Sequence, residues 1–310
     1  MSKLAYVFPG QGSQAVGMLA DLAAEHSVIQ DTFAIASQAL GYDLWELVQN
    51  NAEGKLNQTH ITQPALLTAS VALWELLKQQ GATAPDYLAG HSLGEYSALV
   101  CAGVLSLADG VKLVEARGKF MQQAVPEGQG AMFAIIGLDD DKVIAACEQA
   151  AAETGNVVSA VNFNSPGQVV IAGEATAAAK AGELCKEAGA KRALPLPVSV
   201  PSHCALMKPA ADQLATLFES VSFNAPSLPV VNNVDVAICN TADEIKDALI
   251  RQLYSPVRWT ETIEWLAGNG VEIMYEVGPG KVLTGLVKRI NKNVTSDALN
   301  TPASIAEVTA

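Results

Sequence analysis

Gly90-His91-Ser92-Leu93-Gly94 is the segment of this chain best suited to covalent chemistry. In a G-x-S-x-G pattern between a strand and a helix, the turn is so tight that the serine hydroxyl is lifted clear of both elements. The flanking glycines omit side chains that would block that turn, and the N–H of the next residue, Leu93, is free to donate to an oxyanion. The chemistry would be acyl transfer with Ser92 as nucleophile. Tyr87-Leu88-Ala89 reads as a short apolar strand before the motif, and a helix is expected from about Leu93, which is the required context. A structural turn carrying an idle serine is the plainer alternative, because the pattern is short.

A serine nucleophile needs a base, and the sequence has four histidines. His91 adjoins Ser92, and neighbours on such a turn do not readily face each other. His26 lies in a polar helical stretch, and His60 sits in a polar run just before a helix. His203, in Val200-Pro201-Ser202-His203-Cys204, remains, and it follows Ser92 in the chain as the base follows the nucleophile in hydrolases built on this turn. A surface or helix-capping histidine is the competing reading. No acidic partner stands out, since Asp139, Asp140 and Asp141 sit at an expected helix start, where they serve the helix dipole. An amide or a main-chain carbonyl would fix the imidazole tautomer equally well.

Arg117 is the third residue of interest. The helix expected over Leu107 to Ala124 has an apolar stripe of Leu107, Val111, Val114, Gly118 and Met121. At about 100° per residue, Arg117 falls roughly 60° from Val114, at the edge of that stripe. Arginine keeps its proton, so a buried one must meet an anion or a set of acceptors. An internal salt bridge satisfies that need, and so does a guanidinium fork that receives a substrate carboxylate.

Two glycine-rich loops invite a nucleotide reading that the residues do not support. Gly10-Gln11-Gly12-Ser13-Gln14-Ala15 lacks the third glycine of a dinucleotide loop. In Gly278-Pro279-Gly280-Lys281 the upstream glycine of a phosphate loop is replaced by Tyr275, and Val282 follows the lysine. The first loop does end a strand, so its N–H groups could face a developing negative charge.

The elements that must position these residues follow from composition and patterning. The chain has 310 residues, half of them hydrophobic and 16% charged, which gives ample core material and excludes intrinsic disorder. A net charge of −13 argues against nucleic acid or an anionic membrane as the main partner. Five scattered cysteines without a C-x-x-C pair make a poor disulfide framework and a poor zinc site. No apolar run approaches the roughly 18–20 residues of a membrane span, and the run Leu4–Phe8 is too short for a signal peptide. A cytoplasmic location and no metal are expected.

Leu4–Phe8 reads as a buried strand, and a long helix is expected over Thr62 to Gln80 with Pro64 in its first turn. Strands alternating with long helices imply a mostly parallel sheet covered on both faces. The middle of the chain differs. A strand (Ala131–Leu138), a helix (Asp139–Ala152), a hairpin (Val157–Phe163 with Val169–Ala172), a helix (Ala175–Ala188) and a strand (Arg192–Val198) give the ferredoxin-like order βαββαβ. The expected organisation is a core of residues 1–127 and 199–310 with a subdomain of 128–198 inserted. A helix is expected over Ala205–Phe218, after His203. The polar tail after about Asn293 is weakly patterned and expected to be partly mobile.

With these residues identified, the chain resembles the malonyl-CoA:acyl carrier protein transacylases of type II fatty-acid synthesis. The segments that carry the resemblance are Phe8-Pro9-Gly10-Gln11-Gly12-Ser13-Gln14, Thr62-Gln63-Pro64-Ala65, Gly90-His91-Ser92-Leu93-Gly94-Glu95-Tyr96, Arg117-Gly118, Pro201-Ser202-His203 and Val277-Gly278-Pro279-Gly280. They occur in family order over about residues 4 to 290. The resemblance implies an α/β fold, a hydrolase-like parallel-sheet core with an inserted ferredoxin-like subdomain. It also implies a ping-pong transfer of malonyl from malonyl-CoA to the pantetheine thiol of acyl carrier protein, with no cofactor.

Carried over by residue, the resemblance implies Ser92 as nucleophile, His203 as base and acid, and the N–H groups of Gln11 and Leu93 as oxyanion hole. Arg117 would bind the malonyl carboxylate, and the main-chain carbonyl that orients the histidine matches Gln252. Because such carrier proteins are acidic, Lys281, Lys288, Arg289 and Lys292, the densest basic cluster, are the expected docking surface. A serine thioesterase or esterase using water, a non-catalytic acyl-CoA or carrier-protein binding module, and a modular polyketide acyltransferase are the rival readings.

Overall fold

The computed structural model describes residues 2–51, 53–198 and 200–309. The elements begin with β1 (Lys3–Phe8), α1 (Ala20–Glu25), α2 (Ser27–Leu40), α3 (Leu44–Asn50), α4 (Thr59–Gln79), β2 (Tyr87–Gly90), α5 (Leu93–Cys101) and α6 (Leu107–Ala124). Then come β3 (Gly130–Ile136), α7 (Asp140–Thr154), β4 (Val158–Ser165), β5 (Gln168–Glu174), α8 (Ala175–Glu187) and β6 (Arg192–Pro195). The remainder is α9 (Lys208–Phe218), β7 (Val230–Val231), α10 (Ala242–Gln252), α11 (Trp259–Gly268), β8 (Val271–Glu276), α12 (Val282–Ile290), β9 (Thr295–Ala298) and α13 (Pro302–Thr309). The fold is mixed α/β with two separate sheets.

The larger sheet is parallel, in the order β7-β2-β1-β8-β9. Its central strand β1 is buried on both faces, which is why it reads as an unbroken apolar run. Alternate side chains divide between two cores. Ala5 and Val7 face Trp259, Ile263, Leu266, Leu283 and Leu286 from α11 and α12, whereas Tyr6 and Phe8 join the larger cluster built on α2, α4, α5 and α6. The second sheet is antiparallel, in the order β4-β5-β3-β6, with α7 and α8 packed on it around Ile135, Val143, Ile171, Ala181 and Leu184. Its strands all come from residues 130 to 195. Ser199, at the expected return to the core, lies outside the described residues.

The two sheets are joined by a short strand-like seam. Phe163 N–H donates to the Val257 carbonyl at 3.0 Å, and Val257 N–H donates to the Val161 carbonyl at 2.8 Å. Thr260 Oγ1 also donates to the Phe163 carbonyl at 3.0 Å. The hairpin turn of β4 and β5 is thereby fixed beside α11.

Three expectations need correction. First, α4 starts at Thr59, so Pro64 lies beyond the first turn, where its missing N–H leaves the His60 carbonyl without the usual partner. The helix tolerates this because nearly all its residues from Ile61 to Leu77 are buried and packing holds it. Second, the last strand of the small sheet stops at Pro195 rather than Val198. Third, residues 294–309 form a strand and a helix rather than a loose tail. β9 pairs in parallel with β8, and Val294, Ser296, Leu299 and Ile305 are buried. Val294 and Ser296 alternate with the polar residues Thr295 and Asp297, a pattern too short to register as a strand until β8 is there to receive it.

Helices α4 and α6 approach closely at Gly118. A Cβ at that position would lie 2.6 Å from His60 Cα and 2.8 Å from His60 N, both rigid backbone. The absent side chain lets Arg117, one residue earlier, reach into α4. Gly118→Ala is expected to destabilise the fold by about 1–3 kcal/mol through forced separation of these helices. Urea unfolding would measure it, and acyl transfer should fall with it as Arg117 withdraws.

Candidate active site

The site begins at the turn between β2 and α5. Ser92 sits at φ 52°, ψ −110°, outside the regions that L-residues ordinarily occupy, at a cost of order 1–3 kcal/mol. The surroundings leave the chain no alternative. A Cβ at Gly90 would lie 1.9 Å from the Gly94 carbonyl carbon, and one at Gly94 would lie 2.0 Å from the Phe8 carbonyl oxygen. Asn233, just past β7, holds the turn from the side. Its Oδ1 accepts from Ser92 N–H at 2.8 Å, and its Nδ2 donates to the Gly90 carbonyl at 2.7 Å.

His203 meets the serine from the other side. Ser92 Oγ and His203 Nε2 are 2.7 Å apart, and His203 Nδ1 lies 2.7 Å from the main-chain oxygen of Gln252. A carbonyl only accepts, so Nδ1 carries the proton and Nε2 is left to accept from the hydroxyl. His203 also has a positive φ, 64°, and its N–H donates to the Leu253 carbonyl at 3.1 Å. Both strained residues are therefore tied to segments outside their own loops. Burial, with the Arg117 charge adding to it, pulls the imidazole down from 6.5 to about 3, so it stays neutral at physiological pH. The hydrogen bond to the Gln252 carbonyl works weakly the other way.

Arg117 is only 1% exposed and reaches the same point from α6. Nη1 donates to Gln63 Oε1 at 2.7 Å, and Nη2 donates to Gln252 Oε1 at 3.0 Å and to Ser92 Oγ at 3.4 Å. The guanidinium also lies over the Tyr96 ring, 5.3 Å from its centroid. Among the described residues no carboxylate pairs with it directly, and its Nε has no partner. The internal salt bridge is thus replaced by amide oxygens, which a stronger acceptor can displace.

The two N–H groups expected as oxyanion donors, those of Gln11 and Leu93, lie on the two loops flanking this point. His91 N–H donates to the Phe8 carbonyl at 3.0 Å, which fastens the serine turn to the end of β1 and so to the loop that holds Gln11. Gln11 is exposed and its side chain touches Thr59 at 3.4 Å. Among the described residues neither Gln11 N–H nor Leu93 N–H meets a protein acceptor, so both remain free to donate.

The structure brings Ser92, His203, Arg117 and Gln252 together, with the Gln11 loop and Leu93 alongside. Lys281, Lys288, Arg289 and Lys292 lie on or beside α12, and all four are exposed. Lys288 lies 3.7 Å from Asp297, and Arg289 donates to Gln168 on β5 at 2.6 Å. Arg289 thereby spans from the larger sheet to the smaller one.

Sequence reasoning gave no role in the site to Asn233, Glu95, Gln63 or Asn164. Asn164 Oδ1 meets His91 Nε2 at 2.7 Å, and the His91 ring packs edge-on against Trp259 at 5.4 Å, so His91 turns toward the small sheet rather than toward Ser92. Glu95 was legible in principle. It is the one charge in the otherwise apolar Leu93–Cys101, the same signal that singles out Arg117. Asn233 gave no such signal, because an asparagine after a strand is ordinary turn chemistry.

Comparison with known proteins adds to this geometry. The acyl transferase domain family matches residues 5–307. The malonyl CoA-acyl carrier protein transacylase of Escherichia coli (strain K12) is 65% identical, over 99% of this chain and 98% of its own length. A crystal structure of an acyl carrier protein S-malonyltransferase from Vibrio cholerae superposes with a TM-score of 0.97 at 64% identity, covering 99% of this chain and 100% of that one. A malonyl-transacylase solved in complex with a type II PKS acyl-carrier protein also gives 0.97, at 60% identity and 99% coverage of both chains.

With its imidazole neutral, His203 should accept the Ser92 proton over a wide pH range. The inactivation rate by a fluorophosphonate is expected to stay flat as pH is lowered from about 8 to about 5. An inflection near the ordinary histidine value of 6.5 would mean that the imidazole is not depressed as its surroundings require.

Proposed function

Since the chain belongs to the acyl transferase domain family, we propose that it transfers the malonyl group from malonyl-CoA to the pantetheine thiol of acyl carrier protein, supplying fatty-acid synthesis. The observation that carries this reading is the meeting of two groups at one oxygen. Ser92 Oγ lies 2.7 Å from a neutral imidazole and 3.4 Å from a buried guanidinium. The first makes a nucleophile, and the second makes a place for an acyl group that ends in a carboxylate.

The reaction runs in two halves. Ser92 Oγ attacks the malonyl thioester carbonyl while His203 Nε2 takes the hydroxyl proton. The tetrahedral oxyanion is held by the N–H groups of Gln11 and Leu93, which meet no other acceptor among the described residues and need not reorganise. The C–S bond then breaks, and the CoA thiolate leaves with the proton from His203. In the second half the carrier-protein thiol gives its proton to His203 and attacks the malonyl ester, and Ser92 leaves reprotonated. The Gln252 carbonyl stabilises the imidazolium in both halves without an acidic partner. Arg117 favours malonyl over acetyl because only an acyl group that ends in a carboxylate gives the guanidinium fork a direct ionic partner, worth about 1–3 kcal/mol.

We read residues 1–127 and 199–310 as a hydrolase-like core, and 128–198 as an inserted ferredoxin-like subdomain. The order β4-β5-β3-β6 and the separate core on α7 and α8 support that reading. Among the described residues no helix is long and apolar enough to cross a membrane, and the five cysteines are all unpaired, which favours a cytoplasmic site of action. The carrier protein docks on Lys281, Lys288, Arg289 and Lys292. Their exposure supports that reading, as does the hydrogen bond from Arg289 to Gln168, which sets one positive charge against the smaller sheet.

Intact-protein mass spectrometry after brief incubation with malonyl-CoA tests the covalent step. A malonyl adduct is expected on wild type and not on Ser92→Ala, and carrier-protein thiol should discharge it. Arg117→Ala should lose malonyl transfer by roughly 10- to 100-fold while gaining on acetyl-CoA. Steady CoA release into water with no adduct would point to a thioesterase instead. Reversing charge at Lys288 and Arg289 should raise the KM for carrier protein and leave that for malonyl-CoA unchanged.

A further inference from the structure

Arg117 poses an electrostatic question that the transfer mechanism leaves open. A guanidinium only 1% exposed is costly without an anion, yet its hydrogen-bond partners are the neutral oxygens of Gln63, Gln252 and Ser92. Among the described residues the other buried acidic side chains are Glu95 and Glu276. Glu276 is committed to the start of α12, where its Oε2 accepts from Thr284 N–H at 2.8 Å. Glu95, 2% exposed on α5, has no salt-bridge partner there either.

Between Glu95 and Arg117 stands one side-chain amide. Gln252 Oε1 accepts from Arg117 Nη2 at 3.0 Å, and Gln252 Nε2 donates to Glu95 Oε2 at 2.9 Å. The same Oε2 accepts from Asn233 N–H at 3.0 Å. A cation at the oxygen end and an anion at the nitrogen end leave the amide a single orientation.

We propose that Glu95 is a positioning residue that supplies the counter-charge of Arg117 from one amide away, so that the guanidinium is neutralised when empty and still open to a substrate carboxylate. The proposal rests on reading Arg117 as the malonyl clamp. A direct ion pair would close the fork that the substrate needs. Held at a distance, Glu95 lets the empty site persist and moderates the grip on malonyl, because the bound complex sets two carboxylates against one guanidinium. Removing the charge at 95 should therefore tighten the hold on malonyl specifically.

Burial raises the Glu95 carboxyl to about 7, against the opposing pull of its hydrogen bonds and of Arg117, so its charge changes near neutrality. The charged and titratable groups that act on it or are acted on by it are Arg117, Asp235, Tyr96 and Cys239. His203, held down to about 3, stays neutral in this window.

The test is single-turnover acylation of Ser92 in the full chain, read as the concentrations of malonyl-CoA and acetyl-CoA that half-saturate the rate. For Glu95→Gln the malonyl-CoA value should fall about three- to tenfold while the acetyl-CoA value holds. Glu95→Asp, which keeps the charge, should retain the wild-type ratio. Equal changes for both donors, a weaker hold on malonyl-CoA, or an Asp variant that behaves like Gln would each overturn the proposal. If Glu95→Gln does not fold, wild type reports the same effect. Lowering pH from about 8 to about 6 protonates Glu95 and should lower the malonyl-CoA value alone, and a constant ratio would overturn the proposal. A wild type that forms no malonyl-serine at all would instead remove the transfer reading on which the proposal stands.

Discussion

Gln252 places two unrelated demands on one residue. Its main-chain oxygen faces His203 Nδ1 and its side-chain oxygen faces Arg117, so the proposed base and the proposed carboxylate clamp share one anchor. Neither duty tolerates displacement, and the residue is fully buried at the last turn of α10. That turn is held from outside. Arg251, the preceding residue, donates through both terminal nitrogens to Asp235, at 2.9 and 2.8 Å, and through Nε to Asp247 at 2.7 Å. Asp235 is two residues from Asn233, which steadies the serine turn. A bidentate surface pair, ordinarily worth little, here ties together the two segments that align the site.

The site also stores strain. Ser92 and His203 both hold positive φ, and neither is a glycine. Each is overdetermined by contacts from other parts of the chain, Ser92 by Asn233 and by glycines that admit backbone against backbone, His203 by the Leu253 carbonyl. The reward is geometric, since a serine in an ordinary helical start would lie along α5 and not face the imidazole.

Much of this was legible in the sequence, and the reason lies in how local each signal is. The serine turn, β1, α5, α6 and the βαββαβ order depend on spacing within short windows, and the structure reproduces those elements with shifts at their ends. Arg117 showed itself as a charge beside an apolar stripe. The four-residue strand β9 did not, because it is defined by its pairing with β8 rather than by its own pattern. Asn233 and Glu95 act across more than a hundred residues of chain, and no window contains both ends of such a contact. Gln252 was reached only through resemblance, because a main-chain carbonyl leaves no trace in residue type.

The sheet order has a consequence for how the chain acquires its shape. β1 lies at the centre of the parallel sheet, flanked by β2 on one side and β8 on the other, so one of its edges stays unpaired until Val271–Glu276 has been made. The loop that follows β1 is likewise wedged between the serine turn and Gly278, where a Cβ would sit 2.4 Å from Pro9. During synthesis the N-terminal segments can collapse onto α4, but the sheet closes only as the last elements arrive. An early-emerging apolar strand with a long wait for its neighbour is a natural substrate for chaperones, and loss of the final elements would leave β1 and the loop after it without their supports on that side.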